Sequence, residues 1–130
     1  MLGGSPYSYF RYETHLALQA ALGAHDAAAE EFARRFGRRH AAVACYRSDD
    51  AQFVFFMIGA FATKAMEAVD RLREAGVAAG LVRPRLLRPY PVEALRRALA
   101  GKRAVAVIDQ NLSLGKGGVL HAELASASAT

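Results

Sequence analysis

The residues most able to do chemistry are arginines, one aspartate and a few small polar side chains placed beside apolar runs. Arg83 and Arg85 alternate on one face of an extended segment, and Arg88 follows three residues later. Two guanidinium groups so spaced can clamp a carboxylate or phosphate bidentately, or form the ion pairs of a subunit interface. Asp109 closes the apolar run Ala104-Val105-Ala106-Val107-Ile108 and is followed by Gln110 and Asn111. A carboxylate there can act as an acid, cap the N–H groups of the next loop or pair with an arginine. Gly59 and Thr63 lie where a strand turns into a helix, whose free N–H groups can hold an anion. The stretch Ser113-Leu114-Gly115-Lys116-Gly117-Gly118 resembles a phosphate loop only superficially, and the expectation there is a mobile linker.

Other chemistries have little to work with. The four histidines, His15, His25, His40 and His121, are far apart and none is paired at ligand spacing. Cys45 is the single cysteine, so an internal disulfide is excluded. Its apolar neighbours point to a buried structural thiol. No Ser/His/Asp or Cys/His arrangement stands out.

These residues need a scaffold, and the apolar pattern supplies one. Phe53 to Ile58 is apolar at every position, as is Ala104 to Ile108, which suits strands covered on both faces. Val43–Arg47 and a segment centred on Gly80-Leu81-Val82 are further strands. Between them, residues 60–75 place Ala62, Ala65, Met66, Val69 and Leu72 on one helical stripe. Glu67 and Arg71 form an i,i+4 pair on its outer side. Pro91 suits the first position of another helix, with Val92, Leu95, Ala98 and Leu99 as its apolar face. Residues 119–126 read as a short final helix. Alternating strands and helices predict a parallel α/β sheet with right-handed crossovers. The Ser48-Asp49-Asp50 turn is short, so the first strand should run antiparallel at an edge. The expected architecture is a three-layer α/β/α sandwich of about four strands, with an open sheet edge that would invite a partner.

Upstream, residues 1–10 are aperiodic and read as a linker or arm. A helix is expected over residues 12–22, ended by Gly23, and a second one starts at Asp26 as N-cap and stops at Gly37. The chain has 130 residues and 53% hydrophobic content, enough for one packed domain over residues 11–130. No apolar run approaches the ~20 residues needed to cross a bilayer. The N-terminus has neither a charged start nor an apolar core, so the cytoplasm is the expected compartment. Net charge is +5, but the basic residues are scattered and not interleaved with aromatics, which argues against nucleic-acid binding.

An ordered series of segments resembles the second domain of the α subunit of pyruvate:ferredoxin oxidoreductases. It comprises Tyr9-Phe10-Arg11-Tyr12-Glu13-Thr14-His15-Leu16-Ala17, Phe36-Gly37-Arg38-Arg39, Tyr46-Arg47-Ser48-Asp49-Asp50-Ala51 and residues 65–76. Most telling is Gly80-Leu81-Val82-Arg83-Pro84-Arg85-Leu86-Leu87-Arg88-Pro89-Tyr90-Pro91-Val92-Glu93-Ala94-Leu95. It is similar to the family's G-L-(L/V)-R-x-R-x-x-R-P-(F/Y)-P-x-E-x-L segment. Ala104–Asp109 with Asn111, Ser113 and Gly115 resembles another family segment. Ala44, Gln110 and Ala60-Phe61 stand where the family often has Glu, Arg and Ser.

The resemblance implies a transketolase C-terminal-like fold and a share in oxidative decarboxylation. A 2-oxoacid and coenzyme A would give acyl-CoA, carbon dioxide and reduced ferredoxin. Thiamine diphosphate and iron–sulfur clusters belong to the full enzyme, and this chain would hold none of them. On this reading the chain is an assembly domain, inactive alone, whose partners are the enzyme's other domains and subunits. Self-association through the sheet edge is a further possibility. The alternatives are a stand-alone nucleotide- or coenzyme A-binding module and a C-terminal piece of a transketolase or dehydrogenase.

Overall fold

A computed structural model describes residues 4–128, with side chains from residue 6 onward. The chain forms two compact units. One holds the first helix with residues 37–42 and 86–91; the other comprises residues 43–85 and 92–128.

In the first unit a single helix, α1, runs over Gly4–Phe36. The expected arm, the stop at Gly23 and the N-cap at Asp26 are all replaced by continuous helix. Gly23 costs only about 1 kcal/mol relative to alanine in a helix, and the run Ala20-Ala21-Leu22 before it and Ala27-Ala28-Ala29 after it favour helix strongly. Pro6 falls in the first turn, where an N–H has no helical acceptor to lose. Residues 1–3 lie outside the described residues. The end of α1 is where expected. Gly37, at φ 67°, donates its N–H to the Ala33 carbonyl, and Phe32 packs on Phe36 with ring centres 4.6 Å apart.

The second unit is built on a four-stranded sheet. Its strands are β1 (Val43–Tyr46), β2 (Phe53–Phe56), β3 (Ala79–Pro84) and β4 (Ala104–Val107). Their order across the sheet is β1-β3-β2-β4. β1 is the antiparallel edge strand, pairing Val43 with Pro84 and Tyr46 with Leu81. β2 is parallel to both neighbours, with Phe55 beside Leu81 on one side and Ala106 on the other. The fold is thus α/β with a mixed, mostly parallel sheet, as expected.

Helix α2 (Phe61–Glu74) connects β2 to β3. Its buried stripe of Ala62, Ala65 and Val69 packs with Met57 and Leu81, flanked by Tyr46, Phe55 and Met66. Gly76, at φ 84°, ends it: its N–H reaches the Arg73 carbonyl while Val77 reaches that of Leu72. This is the paired bonding that a left-handed glycine permits. Helix α3 (Val92–Leu99) connects β3 to β4 and buries Leu95. Helix α4 (Val119–Ser128) packs beside it, with the Arg96 guanidinium donating to the Ala127 carbonyl at 2.9 Å. β2 to β3 steps one way across the sheet and β3 to β4 steps back the other way. Right-handed crossovers therefore put α2 and α3 on opposite faces.

Two expectations are overturned here. Residues 112–118 are not a linker but a small hairpin, β5 (Leu112–Ser113) against β6 (Gly117–Gly118). Gly115, at φ 74°, sits in the turn that Lys116 closes on the Ser113 carbonyl. Cys45 is exposed, not buried: it lies on β1, an edge strand that pairs only with β3 among the described residues.

Candidate functional site

In open α/β sheets, ligands gather at the carboxyl ends of the strands, where connections leave for opposite faces. Here that point lies between β2 and β3. β2 leads to Gly59 (φ 73°) and the start of α2, and β3 ends at Arg83-Pro84. Gly59 and Thr63 are both exposed. The first turn of α2 is closed by backbone bonds, Ala62 to the Gly59 carbonyl and Thr63 to that of Ala60, with no side chain capping Ala60.

Arg83 is half-buried and stands across from Ala44 in the β1–β3 ladder. A glutamate at Ala44 would be its direct cross-strand neighbour. Arg85 is exposed just beyond the strand. Arg88 belongs to the unit that contains α1, where its guanidinium donates to the Leu87 carbonyl at 2.5 Å. The three arginines are therefore not placed together within one unit.

Asp109 has a definite task. One carboxylate oxygen accepts the Asn111 N–H at 2.9 Å and the other the Leu120 N–H at 2.8 Å. These backbone bonds hold its pKa below the usual carboxylate value. A Cβ on Gly118 would meet that same carboxylate at 3.1 Å, so the glycine lets the hairpin approach. Of the roles open to Asp109, the geometry matches capping of the following loop. A carboxylate kept ionised this firmly is a poor proton donor near neutrality.

The densest polar cluster lies at the other end of the sheet, where sequence reading found only a turn. Arg73, late in α2, donates to the Ala79 carbonyl at 2.6 Å and the Arg47 carbonyl at 2.7 Å. It also binds both oxygens of Asp50, at 2.6 and 2.9 Å. This clamp lowers the Asp50 pKa to about 2. Lys102 donates to the carbonyls of Ser48 and Asp49. Gly80 leaves room for the same turn: a Cβ there would lie 2.8 Å from the Arg47 carbonyl oxygen. Beside it, Tyr46 and Arg47 both donate to Asp70, at 2.9 and 2.6 Å. Arg47 is the one non-glycine residue with positive φ (47°) among the described residues. Every partner here is an element of the domain itself, so the cluster locks the β1–β2 turn to α2 and β3. The i to i+26 separations involved leave no periodic trace in sequence.

One surface is left over. On the α2 side, β2 and β4 are only partly covered. Phe55, Met57, Phe61, Lys64, Ala65, Ala68 and Ile108 line a shallow apolar groove of about 260 Å³. Phe61 is 47% exposed, Ile108 44% and Phe53 38%. Lys64, which lines the groove, lies over the ring of Phe61, and Arg103 lies over Phe53 at the other end of β2.

Groups for holding a metal centre are sparse. Among the described residues no three His, Cys, Asp or Glu side chains converge. A single cysteine cannot ligate an iron–sulfur cluster, which takes about four. No helix of the described residues is long and apolar enough to cross a membrane.

Comparison with known proteins places this arrangement. Residues 51–130 match the family model for pyruvate:ferredoxin oxidoreductase core domain II. The chain is 33% identical over 120 residues to pyruvate synthase subunit PorA of Methanothermobacter thermautotrophicus, covering 92% of this chain and 31% of that one. It is 35% identical over 118 residues to ketoisovalerate oxidoreductase subunit VorA of Pyrococcus horikoshii, covering 90% and 30%. It is 37% identical over 113 residues to the NADH-dependent phenylglyoxylate dehydrogenase subunit alpha of Aromatoleum evansii, covering 85% and 27%. The chain thus spans less than a third of the length of these relatives.

Proposed function

The chain belongs to the pyruvate:ferredoxin oxidoreductase core domain II family, and from that premise we propose that it is the assembly domain of a 2-oxoacid oxidoreductase α subunit. In this role it docks on the enzyme's other domains and subunits and carries no catalytic group of its own. The apolar groove, with Lys64 at its edge, is the observation that carries the reading. A domain of this size has ample core, yet it leaves Phe61 and Ile108 exposed together at one groove, which marks an interaction surface. The exposed aromatic run of α1, with Tyr7, Tyr9, Phe10 and Tyr12, offers a second such surface.

The polar groups support the same reading. Asp109 is committed to loop N–H groups and Arg73 to the β1–β2 turn, so the strongest charges serve the scaffold. The named relatives differ in their 2-oxoacid, yet resemble this domain about equally, at 33–37% identity. Substrate choice then resides outside it.

The full enzyme would be cytoplasmic and would oxidise a 2-oxoacid, with pyruvate the first candidate. It would use coenzyme A, thiamine diphosphate and iron–sulfur clusters and pass electrons to ferredoxin. The residues of this chain do not fit the cluster or a metal–diphosphate site, so no step of the chemistry is assigned to them. Gly59, Thr63, Arg83, Arg85 and Arg88 would serve contact with neighbouring domains, and Asp109 and Asn111 would shape the loop beside it.

The test is turnover. The pure chain, given 2-oxoacid, coenzyme A, thiamine diphosphate and a viologen acceptor, should give no reduction above the blank. Activity should appear only when the remaining domains and subunits are supplied. Reduction by the pure chain would overturn the proposal.

A further inference from the structure

We propose that Arg83 anchors a carboxylate from outside these 130 residues, an aspartate or glutamate side chain of a neighbouring domain or subunit. The proposal deepens the assembly reading and takes the partner's identity from it. Among the described residues, Arg73, Arg83, Arg96 and Lys102 are the cations withdrawn from full exposure. Arg73 grips Asp50 and two backbone carbonyls. Arg96 binds Glu93 and the Ala127 carbonyl, and Lys102 binds the carbonyls of Ser48 and Asp49. Arg83 alone of these has no hydrogen bond and no ion pair among the described residues. A guanidinium is all donors, and drawing it partly out of water with none of them paired costs free energy that a carboxylate would recover.

The β1–β3 ladder shows where that carboxylate enters. Arg83 stands across from Ala44 and, two positions along, Leu81 stands across from Tyr46. Leu81 and Tyr46 belong to the core under α2. Side chains two apart share a face of a sheet, so Arg83 and Ala44 lie on that face as well. Directly opposed side chains are about 5 Å apart, and on the Ala44 side only a methyl group fills the space. β1 itself, Val43-Ala44-Cys45-Tyr46, has no acid to offer. The acids of the nearby turn and helix are taken, Asp50 by Arg73 and Asp70 by Tyr46 and Arg47. A carboxylate reaching over Ala44 can meet the guanidinium fork with both oxygens, the geometry that favours arginine at interfaces. Arg83 needs a group that these residues lack, whichever neighbouring segment supplies it.

The test compares variants of the full chain in the native complex isolated from its source cells. Ala44→Glu supplies a carboxylate from within. It should raise the Tm of the chain alone yet weaken its binding to the neighbouring subunits about tenfold, because the anchor is then occupied. Arg83→Met should weaken binding by a similar factor. Arg83→Lys, treated with a carbodiimide, should form an amide from position 83 to an aspartate or glutamate outside residues 1–130, identified by peptide mass mapping. Binding unchanged in both Ala44→Glu and Arg83→Met would overturn the proposal and leave the assembly reading standing. So would an amide from position 83 to acids of this chain only, or no such amide. A Tm raised by millimolar inorganic phosphate in the parent but not in Arg83→Met, with subunit binding unchanged in both, would make Arg83 a small-anion site instead and overturn the proposal. A parent chain recovered with no partner would overturn the assembly reading itself and this proposal with it.

Discussion

Replacing Gly80 with alanine tests whether the β1–β2 turn is as tightly locked as the polar cluster suggests. The new Cβ would lie 2.8 Å from the Arg47 carbonyl oxygen, 2.9 Å from the Ser48 Cα and 2.9 Å from the Ala51 Cβ. Ordinary contacts begin near 3.4 Å, so the turn or β3 must move by about half an ångström. Two of the three atoms are backbone, and the same turn is held by Arg73 and Lys102, so it cannot swing aside freely. Overpacking of this kind costs about 1–3 kcal/mol. The alanine recovers some of it, roughly 0.4–1 kcal/mol, by restricting the unfolded chain. The net expectation is a loss of about 1.3 kcal/mol, or a fall in Tm of ~5 °C at about 4 °C per kcal/mol for a chain of this size. Urea unfolding followed by circular dichroism should show a lower midpoint at unchanged slope. A Tm within about 1 °C of the parent would refute the reasoning and show the turn to be soft.

Other outcomes follow from the same geometry. Gly23→Ala should act in the opposite sense: its Cβ meets nothing within 4 Å in mid-helix, so α1 should gain about 0.5–1 kcal/mol in thermal melts. Acid titration should reveal Asp50, whose folded pKa is depressed to about 2 from 3.8 by Arg73. Its contribution is present above pH ~4 and is lost as pH falls through about 2, and Asp50→Asn should flatten that part of the stability curve. Ala44→Glu should give the half-buried Arg83 a cross-strand partner and stabilise by about 0.2–1 kcal/mol, an effect that salt should diminish.

The sheet was legible because its strands carry the two-sided apolar pattern of a buried parallel sheet. Phe53–Phe56 and Ala104–Val107 both fall within the expected runs, and α2 lies within one residue of its expected bounds. The short turn at Ser48-Asp50 correctly implied an antiparallel β1. Local signals misled where one residue was weighed against its neighbourhood. Gly23 looked like a stop, but the flanking alanines carry the helix through. The β5–β6 hairpin has two residues per strand, one of them Gly117-Gly118, so neither propensity nor alternation could reveal it. Asp109 was legible as a capping acid beside a loop. The clamp of Arg73 on Asp50 and of Tyr46 on Asp70 joins residues more than twenty positions apart, and only the folded sheet brings them together.

The assembly role is tested most directly by isolating the tagged chain from its source cells and weighing the native complex, alongside Phe61→Glu. Phe61 is half exposed at the groove, so the variant should fold with an unchanged circular dichroism spectrum. The account predicts that the parent carries thiamine-binding and iron–sulfur subunits with it and that Phe61→Glu loses them. A parent chain recovered without those subunits, or a variant that retains them fully, would contradict it.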